Sequence, residues 1–238
     1  MPGLLDLLFP RSCVYCEERI PYGIRETLCP ACLQKIKPTR PPLCLCCGGP
    51  LVGPVETEHL CGTCLLHMPA YNRARSLFIY EDVVRGLIHG LKFGQDMACL
   101  RAIDALVTSS GWRAGLPVSD LVLPVPLHFH RLRSRGFNQA FLLAKVFFGK
   151  RNKKIMPSLL LRTRDTLPQT GLSGVARRRN LLAAFTLRDA EMIRGRKICL
   201  VDDVFTTGTT VDECSKVLRK NGAAEVEVLT LARVIIAR

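Results

Sequence analysis

Eight cysteines in four C-x-x-C pairs constrain the N-terminal third of this chain more tightly than any other feature. The pairs are Cys13/Cys16, Cys29/Cys32, Cys44/Cys47 and Cys61/Cys64, separated by 12, 11 and 13 residues. A C-x-x-C turn aims two sulfurs at one point, and two such turns complete a tetrahedral Zn–S₄ site. Sequential pairing predicts two ribbon-like structural zinc sites, Cys13/Cys16/Cys29/Cys32 and Cys44/Cys47/Cys61/Cys64; a crossed pairing is also open. Redox use of the thioredoxin type is disfavoured, because no βαβ pattern surrounds the pairs. Cys46 beside Cys47 is a spare thiol or an alternative ligand. His59 and His67 flank the last pair and read as surface residues. About 65 residues with few large apolar side chains build little core, so metal supplies the missing stability. Pro38, Pro41, Pro42, Pro50 and Pro54 suit a stiff, loop-rich module.

The remaining length, out of 238 residues, is enough for one medium domain. Lys and Arg number 34 against 20 Asp and Glu, a formal charge of +14. Each Zn(Cys)₄ centre carries about −2, which brings the net to about +10. A chain that stays this basic suits an anionic partner, a phosphorylated small molecule or nucleic acid, or else simply a basic solubilising surface. No stretch approaches the roughly 18 apolar residues of a membrane span. The opening "MPGLLDLLFPRSC" has an acid within its short apolar run and no basic n-region, so it is a poor signal peptide. It is expected as a short helix on the body of a cytoplasmic protein, where clustered cysteines imply metal rather than disulfides.

From about Tyr71 strands and helices alternate. "SLFIY" (76–80), "LVLPVP" (121–126), "LLAAFTL", "RKICLVDD" and "AEVEVLTLARVII" read as strands. "EDVVRGLIHGLKF" places Val83, Val84, Leu87, Ile88 and Leu91 on one helical face, with Asp82 as candidate cap. "LRAIDALVTS", "FNQAFLLAKVFF" and "TVDECSKVLRKNG" continue the helical series, the last with Val211, Cys214, Val217 and Leu218 inward and Gly222 as its stop. Cys99, Cys199 and Cys214 read as packing thiols. The alternation predicts an α/β domain with a mostly parallel sheet and helices on both faces. Ligands of such sheets bind at the carboxyl ends of the strands.

"CLVDDVFTTGTT" stands at such an end. Asp202 and Asp203 are expected to cap the inner strand "KICLV", and Thr206, Thr207, Gly208, Thr209 and Thr210 lead into the helix at Val211. A phosphate there would meet backbone N–H groups and the positive end of the helix dipole. No G-x-x-x-x-G-K or G-x-G-x-x-G is present, which excludes a Walker loop and a dinucleotide fingerprint. Carboxylates beside a phosphate cradle suit a sugar phosphate, whose hydroxyls donate to the acids. A pyrophosphate with Mg²⁺ would add a cation for them to face. The pattern therefore fits 5-phosphoribosyl 1-diphosphate (PRPP).

"CLVDDVFTTGTT" closely resembles the PRPP motif of type I phosphoribosyltransferases. "LKFGQDMA" (91–98), "LPVPLHFHRLRSRGFNQA" (123–140) and "LPQTGLSGVARRRNLLAAF" (167–185) resemble the ComF family of competence-related proteins, including its GntX-like members. The resemblance covers nearly the whole chain. It implies a double zinc-ribbon module over 1–68 and a phosphoribosyltransferase-like domain over 69–238.

"HRLRSRGFNQA" reads as a basic loop opening a helix, and in the implied fold this loop binds pyrophosphate. Arg135, Asn138 and Gln139 match the family pattern there, and Lys92 matches a family lysine. Residues 162–180 read as a mobile lid, in which Gln169, Ser173, Arg177 and Asn180 match the family. Arg178 and Arg179 add charge that a nucleic-acid backbone could use. The expected ligand set is thus Lys92, Arg135, Asn138, Gln139, Arg177, Asp202, Asp203 and the Thr206–Thr210 loop, with Asp202 and Asp203 fixing ribose and Mg²⁺. No residue announces itself as a general base. His128 and His130 near the loop read as structural or surface groups.

The family name implies DNA uptake, with single-stranded DNA and a competence helicase or recombination mediator as partners. Aromatic stacking platforms are not evident in the sequence, whose single tryptophan, Trp112, falls in an expected loop. The alternative is a transferase acting on a free base or amine, with zinc only as structure. A third reading is a PRPP sensor without turnover.

Overall fold

The computed structural model describes residues 11–21, 27–51, 57–149, 154–164 and 184–235. The expected N-terminal helix and residues 165–180 of the expected lid, with Gln169, Ser173, Arg177, Arg178, Arg179 and Asn180, lie outside these residues, as does Pro54; the first lid residue, Arg162, belongs to a strand.

The two halves of the N-terminal module repeat one another. In each, the first C-x-x-C forms a tight knuckle: Cys13 N–H donates to Glu18 O and Glu17 N–H returns to Cys13 O, while Cys44 N–H donates to Gly49 O and Gly48 N–H returns to Cys44 O. The second pair in each half opens a short helix, α1 (Pro30–Gln34) from Cys29 and α2 (Gly62–Leu66) from Cys61.

The body is built on strands β1 (Arg73–Ile79), β2 (Leu121–Pro124) and β3 (Lys154–Ile155), with β4 (Leu160–Arg162), β5 (Phe185–Leu187), β6 (Lys197–Phe205) and β7 (Glu225–Arg233) following. The main sheet has the order β1-β7-β6-β2-β3, and every pairing in it is parallel. β4 and β5 form a separate antiparallel pair, so the strand described within the expected "LLAAFTL", Phe185–Leu187, lies outside the main sheet. Residues 198–201 of β6 are all buried, as is all of β2, the continuous apolar texture of strands covered on both faces.

Helices α3 (Asp82–Phe93), α4 (Met97–Ser109) and α6 (Gln139–Phe148) share one core with Val122, Cys199, Val201 and Leu229. Helix α7 (Thr209–Lys220) and the β4–β5 pair share the other with Leu121, Leu123, Ile198, Leu200 and Val228. All five expected inward residues of α3 are buried. At about 2 kcal/mol each they outweigh the roughly 1 kcal/mol that each of its two glycines costs a helix. Gly86 has a packing role: a Cβ there would meet Tyr15 Cε2 at 2.4 Å, so the first knuckle lies directly on α3. The N-cap of α3 is Glu81 rather than Asp82, and Asp82 begins the helix at φ 39°.

Helix α5 (Phe129–Arg135) occupies the stretch expected as a basic loop. His128 caps it, its ring accepting from His130 N–H, and Gly136 ends it in the left-handed conformation at φ 75°. β1 is an edge strand, and the connection between the two ribbons covers it. Thr39 N–H donates to Leu77 O, and Ile79 N–H to Lys37 O. Trp112 lies in a short 3₁₀ turn against the first core. No described helix is long and apolar enough to cross a membrane.

Candidate functional site

β6 outruns its neighbour. Pairing with β2 ends at Pro124 opposite Val201, and Val125 N–H makes one further bond to Val201 O. On the other side β7 stays paired to Phe205. Among the described residues β6 therefore has no strand partner on its β2 side from Asp202 onward, which leaves a crevice where two strand ends part. The strand continues three residues past Asp202, so the two acids lie within it rather than capping it.

Strand alternation sends the acids to opposite faces. Asp203 is 6% exposed and faces α3, where Lys92 Nζ lies 2.7 Å from its Oδ2. Arg135, at the end of α5, stacks over Phe93 with its guanidinium carbon 5.2 Å from the ring centre. Burial lowers the Arg135 pKa, and the charge of Asp203 acts against that shift. Lys92, Arg135 and Asp203 thus form one charge cluster, joined through the last turn of α3. Asp202 is half-buried, and its Oδ1 accepts from Asp203 N–H at 2.8 Å. Burial, and then the charge of Asp203, push its carboxyl up to about 7, with Lys92 and Arg162 opposing.

The loop after β6 turns at Gly208, which adopts φ 77° as N-cap of α7. A Cβ on Gly208 would lie 2.6 Å from Phe205 Cζ, so the ring closes the space beneath the turn. The Thr207 and Thr209 hydroxyls are hydrogen-bonded at 2.8 Å. A helix N-terminus leaves its first N–H groups pointing outward, a setting for an anion. Asp212, in the first turn, is engaged elsewhere: its Oδ1 accepts from Ala70 N–H at 2.7 Å, and Lys216 lies 2.9 Å from its other oxygen.

The remaining expected residues differ in role. The Asn138 amide is committed to the scaffold, its Oδ1 capping α6 at Ala140 N–H (2.9 Å) and its Nδ2 donating to Val125 O (3.0 Å). It ties the two ends of the segment carrying α5 and so positions Arg135. Gln139 is buried, and its Oε1 has no hydrogen-bond partner among the described residues. Sequence reasoning missed Phe93 under Arg135 and Arg162 near Asp202. It also missed Phe205, whose place after the acid pair is the one local signal that it supports the loop.

The cysteines form two tetrads, Cys13/Cys16/Cys29/Cys32 and Cys44/Cys47/Cys61/Cys64, each with its sulfurs mutually within 4.8 Å. Sequential pairing is therefore the one adopted. Zn–S bonds of about 2.3 Å at tetrahedral angles separate sulfurs by about 3.8 Å. Cys16 and Cys29 lie 3.7 Å apart, as do Cys47 and Cys61, so each tetrad fits one zinc ion. The electrostatics agree. Burial opposes the Cys44 thiolate, but N–H groups of Cys61, Cys47 and Cys46 outweigh it and hold the thiol at about 6. Cys13 is held at about 6 in the same way by Cys16, Cys29 and Tyr15. Burial and neighbouring thiolates push Cys47 up to about 11 and Cys32 and Cys64 far up. One thiolate forms readily in each tetrad, while four together need a cation. Cys46 is outside the second tetrad, buried with its sulfur 4.0 Å from Tyr71 O. His59 and His67 are in neither tetrad.

Comparison with known proteins places both parts. Residues 4–65 match the double zinc ribbon domain, and residues 142–237 match the phosphoribosyl transferase domain. Competence protein F of Haemophilus influenzae is 33% identical, with 94% of this chain and 98% of the relative aligned. DNA utilization protein YhgH of Escherichia coli O157:H7 is 35% identical over 96% of this chain and all of the relative. Competence protein ComFC of Bacillus subtilis is 26% identical over 87% and 85%. With two zinc-fitting tetrads ahead of a parallel sheet of phosphoribosyltransferase type, the chain belongs to the competence protein F (ComF) family.

Proposed function

We propose that the crevice at the end of β6 binds PRPP with Mg²⁺, and that the protein acts in DNA uptake and processing by binding single-stranded DNA beside that site. The observation that carries the first part is the juxtaposition of an acid pair with a glycine-capped helix N-terminus. The turn into α7 would hold the 5-phosphate. Asp202 and Asp203 would take ribose hydroxyls and the metal, which neutralises pyrophosphate when bound. Lys92 now neutralises Asp203 and would be free to turn to the pyrophosphate when Mg²⁺ takes its place. Arg135 stands at the mouth, where a leaving pyrophosphate would gather charge. The protein's contribution is positioning and electrostatics.

The DNA part is supported by the names of the relatives and by a surface on α5 and the end of α3. Phe93 and Phe129 are 64% and 63% exposed, among Arg131, Arg133 and Arg135. Exposed rings beside cations are the elements of sequence-tolerant binding to single strands, where stacking contributes about 1–3 kcal/mol per base. The strand would pass to a helicase or recombination mediator.

Calorimetric titration of Mg²⁺–PRPP, with and without single-stranded DNA, tests both parts. Micromolar binding is expected in the wild type and none in a folded Asp202→Asn/Asp203→Asn variant; unchanged affinity in that variant would sink the site. Phe93→Ala with Phe129→Ala should weaken DNA binding at least tenfold, and wild-type affinity should fall steeply with salt. Pyrophosphate release with a defined base or amine and no DNA affinity would identify the transferase alternative instead.

A further inference from the structure

Two arginines donate to the backbone of the second knuckle. Arg75 Nη1 reaches Cys44 O at 3.3 Å and Leu45 O at 3.2 Å, and Arg233 Nη1 reaches Cys47 O at 2.9 Å. A Zn(Cys)₄ centre carries about −2, which two guanidinium charges balance. Arg75 otherwise donates to its own neighbour, Ala74 O, at 2.9 Å. Arg233, buried at the end of β7, goes on: its guanidinium stacks over Phe205, 5.1 Å from the ring centre. Phe205 is the last residue of β6 and the ring against which Gly208 turns. Tyr71 meets the same ring edge-on at 6.3 Å, and its carbonyl contacts Cys46 of the second knuckle. The contact from Ala70 N–H to Asp212 is a separate tie from the segment after Cys64 to the first turn of α7.

We infer that Arg233 and Phe205 are positioning residues through which the second zinc tetrad sets the geometry of the phosphate loop. Each link is a direct contact, and Arg233, Phe205 and Gly208 are buried while Cys47 is half-buried. Zinc holds the Cys47 carbonyl in place, that carbonyl orients Arg233, Arg233 fixes the Phe205 ring, and the ring fixes Gly208. Loss of the metal, or oxidation of its thiolates by a peroxide or disulfide, frees the carbonyl and so loosens a loop on a different domain. By linkage, a ligand that orders the loop must also retain the metal. The ligand half of this rests on the PRPP reading; the structural half does not.

The test uses the full zinc-loaded chain. Hydrogen exchange of residues 206–211 is compared in wild type, Arg233→Ala, Phe205→Leu and Arg75→Ala without ligand, and Mg²⁺–PRPP affinity is then measured for each. Arg233→Ala and Phe205→Leu are expected to speed loop exchange and to weaken PRPP about tenfold. Arg75→Ala touches the same knuckle but not the ring. It should speed zinc transfer to a chromogenic chelator while leaving loop exchange at the wild-type rate. PRPP should slow that zinc transfer in the wild type but not in Arg233→Ala. The inference is overturned if Arg233→Ala and Phe205→Leu leave loop exchange unchanged, or if Arg75→Ala speeds it equally, which would mark general destabilisation. If the wild type fails to bind PRPP, the binding proposal falls while loop exchange still decides the relay. If Arg233→Ala does not fold, Phe205→Leu carries the test.

Discussion

Replacing Gly208 by alanine probes the phosphate turn where its geometry is tightest. The added Cβ would stand 2.6 Å from Phe205 Cζ and 3.2 and 3.3 Å from Cε1 and Cε2. Carbon atoms prefer about 3.5–4.0 Å, so the closest pair overlaps by about 1 Å. The backbone adds its own cost, since φ 77° is left-handed and disfavours an L side chain by about 1–2 kcal/mol. Displacing a packed ring costs about 1–3 kcal/mol more, so Gly208→Ala should destabilise the fold by about 2–5 kcal/mol. Urea denaturation measures this directly. A double-mutant cycle with Phe205→Leu separates the two parts, because leucine lacks the clashing ring atoms. In that background Gly208→Ala should cost only the backbone part, about 1–2 kcal/mol, a coupling of about 1–3 kcal/mol. Equal cost in both backgrounds would refute the claim that the ring shapes the turn.

Elemental analysis should find two zinc ions per chain, and one or none would contradict the tetrad geometry. Asn138→Ala should cost about 1–3 kcal/mol by denaturation, from the lost cap on α6 and the lost bond to Val125, while Asn138→Ser keeps a cap without setting an acceptor against the Val125 carbonyl and loses less; unchanged stability in the alanine variant would remove Asn138 from the scaffold. Asp202 has its folded pKa raised from 3.8 to about 7, so its contribution to stability is full at low pH and is lost as pH rises through that window. Asp202→Asn should therefore melt higher than wild type at pH 8 in Mg²⁺-free buffer, with the gain gone near pH 4; equal melting at pH 8 would show that the carboxylate is not desolvated.

The cysteine pairs were legible because a metal site needs only short-range spacing, and the tetrads form between sequence neighbours. The α3 face was legible because Val83, Val84, Leu87, Ile88 and Leu91 repeat with the helix. Helix α5 was not, since it has seven residues and none is buried, leaving no apolar period to read. Its signals were terminal ones, His128 as cap and Gly136 as stop. The splitting of Asp202 from Asp203 follows from strand alternation once β6 is known to run to Phe205. That length depends on pairing with β7, which residues 200–214 alone do not encode. Arg233 was invisible for a stronger reason: its partner Cys47 lies 186 positions away.

The place of β7 between β1 and β6 has a consequence for how the protein is made. Arg73 pairs with Glu227, 154 positions later. At about 5–20 residues per second, a ribosome leaves the inner edge of β1 unpaired for roughly 8–30 s. Both cysteine tetrads are complete by Cys64, before β1 emerges, so all their ligands are available to a metal ion before that strand is. The 37–39 segment between them then covers the outer edge of β1 as soon as that strand appears. A nascent chain with one edge guarded has only one side left on which to pair wrongly.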